Sequence, residues 1–233
     1  MNIKNTVQDL IFGRGDTDAV PVSNFGWERV ALILRQDYAV LIGLNLMFVV
    51  CCLPLFTIPA AFSGMHRVIL NYVRSRNQPV IQSFFQEFRT EFISRACVGL
   101  LLLLAPVSLA FYPRLLGWNN LSLAVLIISG IFVFCLASFY FPLLVLQDLP
   151  IGTVLKNALF MMFISWKTTI RILGTAGVLY GIAVIFPLYA IPFFIIILFS
   201  FCCLICCSFF NEAFHELFEK NIKCDVVVEN EEK

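Results

Sequence analysis

Four uncharged stretches decide what this chain can fold into: Tyr38 to Ser63, Ala96 to Pro113, Leu115 to Gln147 and Ile172 to Asn211. A helix needs roughly 20 apolar residues to cross a hydrocarbon core of about 30 Å. Within that core every backbone amide must be satisfied internally, which favours helices. The composition agrees: 60% of residues are hydrophobic and 13% charged, with a mean hydropathy of +0.90, where soluble domains run near 45–50% and about 25%. The length of 233 residues accommodates roughly five to seven spans and leaves no room for a separate soluble catalytic domain. A net charge of +1 supplies no field that would recruit nucleic acid, so no nucleic-acid partner is expected.

Prolines divide the longer runs. Pro187 and Pro192 bracket Leu188 to Ile191, and Pro54 and Pro59 bracket Leu55 to Ile58. Proline lacks an amide donor and disfavours helix just before it, so both places are expected to turn, with Pro54, Thr57 and Pro59 forming the first turn. Spans are then expected near 38–53, 60–76, 96–112, 121–146, 170–187 and 190–210. The second is a poor span on hydropathy, because His66 and Arg67 sit in it. Charge settles the count: six spans with both termini inside place fourteen of the 16 Lys and Arg on the cytoplasmic side, leaving Arg114 outside and Arg67 within a helix. The best five-span arrangement leaves five outside, and the positive-inside rule prefers six. Trp118 and Trp166 fit interfacial anchors.

The expected fold class is therefore all-α: a polytopic integral membrane helix bundle of about six transmembrane helices, with amphipathic interfacial helices on the cytoplasmic side. Residues 1–37 form a cytoplasmic N-terminal segment, 38–211 a single transmembrane domain, and 212–233 a cytoplasmic helix stub with an acidic tail. The first 37 residues carry Asp9, Asp16, Asp18, Glu28 and Asp37 and lack the apolar core of a cleavable signal, so the first span is expected to serve in targeting.

Two cytoplasmic loops have patterns of their own. After Pro79, the residues Ile81, Phe84, Phe85, Phe88 and Phe92 recur at helical spacing, with Gln82, Gln86, Glu87, Arg89, Thr90 and Glu91 between them. Such a helix lies in the membrane interface with its apolar face down; the alternative use of Phe84, Phe85, Phe88 and Phe92 is as a docking face for another protein. The loop from Gln147 to Arg171 repeats the arrangement behind Pro150, and FISRACVGLLLLLA resembles FISWKTTIRILGTA.

Candidate chemistry is sparse. Eight of the nine cysteines lie in apolar runs, where Cys behaves as a small hydrophobe. In the CCLICC cluster, Cys202 lies over Cys206 and Cys203 over Cys207, a spacing that could offer thiolates to a soft metal. No basic residue nearby lowers a thiol pKa and thiolates are costly in hydrocarbon, so packing is the expectation. Glu212 and His215 form a lone E-x-x-H without the matching motif that a carboxylate metal site wants. No catalytic constellation, metal site or cofactor is expected. Arg67 stands out because a cation in a span costs about 2.5–3.5 kcal/mol and by default marks a functional site, although it can also snorkel to the interface. With Asn45 and His66 it makes the candidate intramembrane polar site.

The run LNLMFVVCCLPLFTIPAA, the amphipathic SFFQEFRTEFISRA, FPLL followed by LKNAL, and a final span ending FHELFEK resemble the YesL-type family of small bacterial membrane proteins. The resemblance extends from about Trp27 to Lys220 and is carried by Asn45, Pro54, Thr57, Pro59 and Ala60, by the four phenylalanines, by Pro142, Asn157 and Ala158, and by Phe218 with Glu219. Ile58 stands where members usually have glycine. The resemblance implies a multi-pass protein of the bacterial cytoplasmic membrane in a family of unknown function whose members often accompany carbohydrate importers. By analogy it implies a non-enzymatic accessory or regulatory role in oligosaccharide ABC-type uptake, touching permease or ATPase subunits. The alternative is a small-solute transporter or channel using Asn45, His66 and Arg67.

Overall fold

A computed structural model describes residues 26–74, 79–90, 92–115, 117, 119–146, 149–185 and 197–231. Among these residues every regular element is helical. The helices are α1 Trp27–Cys51, α2 Ile58–Val73, α3 Val80–Arg89, α4 Phe92–Leu115, α5 Asn119–Leu146, α6 Ile151–Ile164, α7 Trp166–Ile185 and α8 Phe199–Glu231. The turn expected between Pro187 and Pro192 and most of the N-terminal segment lie outside the described residues.

The apolar run begins where the helix geometry breaks. Asp37 leaves the helical region at φ −126°, ψ 24°, dividing α1 into a polar first part and an apolar part that starts at Tyr38. Beyond Cys51 the chain turns through a single 3₁₀ segment, Leu55–Thr57. The Thr57 hydroxyl donates to the carbonyls of Cys51 and Pro54, tying off the end of α1. Ile58 sits at φ −50°, ψ −50°, ordinary helical backbone that any L-residue adopts, so this turn has no need of glycine there.

α2, the weakest span on hydropathy, is the centre of the bundle. It packs against α1, α3, α4, α5 and α8, and Ala61, Ser63, Gly64, Met65, His66, Val68 and Ile69 are all buried. Its polar residues are therefore tolerated because protein, not solvent or lipid, surrounds them. Two glycines let neighbours approach closely. A Cβ on Gly99 of α4 would lie 2.2 Å from the Pro59 Cβ at the start of α2, and one on Gly64 would lie 2.9 Å from the Phe84 carbonyl of α3. Small residues at helix contacts have this use where backbones must come together.

α4 and α5 form the outer flank and are joined where the Ser122 hydroxyl donates to the Ala110 carbonyl at 2.7 Å. α6 opens behind Pro150 just as α3 opens behind Pro79, and each short helix ends at a non-helical residue before a long one, Thr90 in the first case and Ser165 in the second. The break precedes the first FIS tripeptide and falls inside the second, so the arrangement repeats but the sequence register does not. Among the described residues two helices, α1 and α5, are long and apolar enough to cross a bilayer.

Gly99→Ala is expected to lower the thermal unfolding midpoint of the purified protein in detergent. Gly130→Ala, where an added Cβ meets nothing within 4 Å, is expected to be neutral or to stabilise by up to about 1 kcal/mol. Equal midpoints for the two variants would refute the close contact at Pro59.

Candidate functional site

A helix leaves its first four amides and last four carbonyls without partners. In this bundle several polar side chains of the apolar helices go to groups at or near helix ends, while Ser63, Ser129 and Ser138 bond carbonyls of their own helices. Arg29, only 6% exposed, reaches from α1 to the end of α2, its Nε donating to the Val73 carbonyl at 3.0 Å and a terminal nitrogen to the Tyr72 carbonyl at 2.6 Å. Arg67 of α2 donates to the Val145 carbonyl of α5 at 3.0 Å, one residue from that helix's end. In both cases a cation faces the negative end of a helix dipole. Asn45 serves an amide instead: its Oδ1 accepts the Ser200 N–H at 2.9 Å, where a π-helical turn at 197–198 passes into α8.

His66 is turned differently. Its Nδ1 lies 2.8 Å from the Phe62 carbonyl, and its ring stacks on Phe141 with centroids 5.4 Å apart. A carbonyl can only accept, so Nδ1 holds the proton and, in the neutral ring, Nε2 keeps its lone pair. The ring lines a cavity of about 330 Å³ between α2, α4, α5 and α8. The walls are mainly apolar, with Phe62, Leu102, Val133, Phe134 and Phe199 among them; Ser138, Cys202, Cys203 and Cys206 join His66 there.

Asn45, His66 and Arg67 are thus three separate fittings. Each meets a different partner, and Arg67 lies outside the cavity lining, its guanidinium donating to the end of α5. Of the E-x-x-H pair, Glu212 faces Arg171 at 3.0 Å.

A cluster at one end of the bundle escapes any reading by spacing. Besides Arg29, Arg74 donates through Nε to the Asn211 Oδ1 at 2.9 Å and lies 5.3 Å from the Phe214 ring centre. Ser208 donates to the Gly26 carbonyl at 2.9 Å, and Trp27 meets Phe209 edge to face at 5.4 Å. Arg29, Arg74 and Arg171 are all among the basic residues that the charge rule puts on the cytoplasmic side, and this was the one sequence signal available for the cluster.

α3 divides its faces three ways. Val80, Ser83, Phe84 and Glu87 are buried against the bundle, and Phe84 stacks on Phe88 with centroids 6.2 Å apart. Ile81 and Phe85 remain 36% and 39% exposed. Phe84 is therefore withdrawn from any docking or lipid-facing surface, and Glu87, which the sequence pattern puts on the polar face, lies inside. Phe88 packs partly against the core, and Phe92 opens α4, its ring 6.4 Å from that of Phe56. This rotation follows from Gly64, whose missing side chain makes the seat for Phe84.

These features define a helical protein with two membrane-length helices and a buried central helix. Residues 41–111, from the apolar part of α1 into α4, match the family described as "Protein of unknown function, DUF624". The chain is also 29% identical over 177 residues to "Uncharacterized protein YteU" of Bacillus subtilis (strain 168), an alignment covering 73% of this chain and 78% of that protein. No solved structure matches.

Arg67→Met, which keeps much of the stem but removes the donor, is expected to cost about 1.5–3 kcal/mol, as for a hydrogen bond to a charged group. Arg67→Lys should recover part of this. Detergent unfolding curves for both variants check it, and an unchanged midpoint for Arg67→Met would show that the α5 end does not depend on this arginine.

Proposed function

We propose that this chain is a six-span protein of a bacterial cytoplasmic membrane, of the YesL type, with both termini cytoplasmic. Its proposed role is non-enzymatic: an accessory or regulatory component of carbohydrate ABC-type uptake. The observation that carries the reading is the allocation of polar side chains. Asn45, Thr57 and Arg67 bond backbone groups at or near helix ends, and the sizeable cavity is mainly apolar, with Phe62, Phe134, Phe141 and Phe199 in its walls. A sugar crossing such a bundle would lose its hydrogen bonds to water without replacement. A transporter needs the polar groups that this fold uses for its own backbone, so the accessory role is the better supported.

The six-span arrangement draws support from the surface. Leu101, Val107, Phe111, Leu123 and Ile128 are each more than half exposed, on the flank built by α4 and α5. An apolar surface of that kind marks contact with lipid or another protein. Arg29, Arg74 and Arg171 bring the start of α1, the end of α2 and the first part of α7 to one side, with the middle of α8 at Asn211 and Glu212, as even-numbered crossings require. α3 then lies at the cytoplasmic surface with Ile81 and Phe85 turned outward, where a permease or its ATPase subunit can meet them.

Affinity purification from native membranes in mild detergent, followed by mass spectrometry, tests the role. A sugar permease or ATPase subunit is expected to co-purify, and Phe85→Glu is expected to reduce its recovery several-fold while the protein still inserts. Recovery of the protein alone, together with solute flux through the purified chain in liposomes, would overturn the accessory reading in favour of transport.

A further inference from the structure

Within α8 alone, Cys203 and Cys207 are two small apolar residues one turn apart, their sulfurs 4.0 Å from each other. Packing against α2 adds what no spacing in the sequence reports. His66 brings a ring nitrogen to the pair, so that the three ligand atoms lie within 4.8 Å of one another. All three residues are buried, His66 and Cys203 at 4% exposure and Cys207 at 0%.

We propose that His66, Cys203 and Cys207 form a binding site for a divalent, thiophilic d10 cation, of which zinc is the type. Three features of the site argue for it. Two thiolate sulfurs each about 2.3 Å from a tetrahedral zinc stand roughly 3.8 Å apart, close to the separation observed. The His66 Nδ1–H is already engaged with the Phe62 carbonyl, the outer hydrogen bond that fixes a metal-ligating imidazole and presents its other nitrogen. Charge balance selects the valence, because two thiolates and a neutral imidazole cancel a divalent cation and leave an electroneutral site. A monovalent cation on both thiolates would leave a net negative charge in a medium of low dielectric, where it is costly.

Binding forms two metal–sulfur bonds and one metal–nitrogen bond. Two S–H bonds break and two protons leave to solvent, with no change of oxidation state. The cavity lined by His66 and Cys203 adjoins the site, and the three protein ligands leave one tetrahedral position for an exogenous group. This site is independent of the accessory role: a protein can hold such a metal whether or not it attends an importer.

The test uses the full-length protein, reduced and purified anaerobically in detergent. Zinc supplied from a metal buffer is expected to bind at one equivalent, and cobalt substituted for it to give a sulfur-to-metal charge-transfer band. Cys203→Ala with Cys207→Ala should abolish the band and weaken zinc by over about a hundredfold, more than loss of an outer-sphere partner costs. Cys97→Ala, at an exposed cysteine, should leave binding unchanged. X-ray absorption of the zinc-loaded wild type needs no variant to fold, and should show two sulfur neighbours and at least one nitrogen. A shell of oxygen and nitrogen only, zinc uptake unaltered in the double variant, or uptake of Cu(I) but not zinc would each overturn the proposal.

Discussion

The ends of helices set the terms on which this bundle exists. A carbonyl at a helix terminus that meets water has a partner at no cost, whereas one held among other helices must be given one. The fold answers by having neighbouring segments complete each other. Thr57 closes α1, Arg29 of α1 closes α2, Arg67 of α2 closes α5, and Asn45 of α1 holds an amide where a π-helical turn passes into α8. These bonds are directional where apolar packing is not, so they also fix the rotation and depth of each helix against its neighbours. In the proposed bilayer setting they matter more, because hydrophobic burial there supplies little drive for helix association.

α2 shows what this costs in hydropathy and what it gains. It carries Ser63, His66, Arg67 and Asn71 in sixteen residues, a poor sequence for facing lipid. Enclosure by five other helices removes that difficulty, and Gly99 and Gly64 allow the enclosure to be tight. The short amphipathic helices before α4 and α7 differ in how fully they join the bundle. α3 commits Phe84 to the seat over Gly64, while α6 leaves Phe160 and Phe163 each 68% exposed.

Helix positions were legible in the sequence because local causes set them. Uncharged runs, Pro54 with Pro59, and the basic residues flanking each run bracket α2, α4, α5 and α7 to within several residues, whereas α1 begins at Trp27, eleven residues before its apolar run. Partners were not legible, because they depend on which helices meet. The Arg67 bond joins residues 78 apart in sequence, and that of Asn45 joins residues 155 apart. Side-by-side numbering made His66 and Arg67 look like one site, although adjacent residues on a helix point about 100° apart. The Phe stripe misled for a related reason. Its period marks a helix with an apolar side but carries no information on whether bundle, lipid or partner takes each edge, and here Phe84 and Phe85 went to different ones. The thiol pair at Cys203 and Cys207 was visible as a spacing, while its third member lay on another helix.

The joining of first and last helices has a consequence for how the protein is made. Asn45 is synthesised with α1, yet its donor Ser200 lies 155 residues later. At a synthesis rate of roughly 5–20 residues per second, that interval is about 8–30 s. Through this time α1 and α2 can already be joined by Arg29, but the slot for α8 stands open with a polar acceptor inside it. Folding therefore has a stage at which the early helices must be kept from pairing that acceptor elsewhere, and the arrival of α8 ends it.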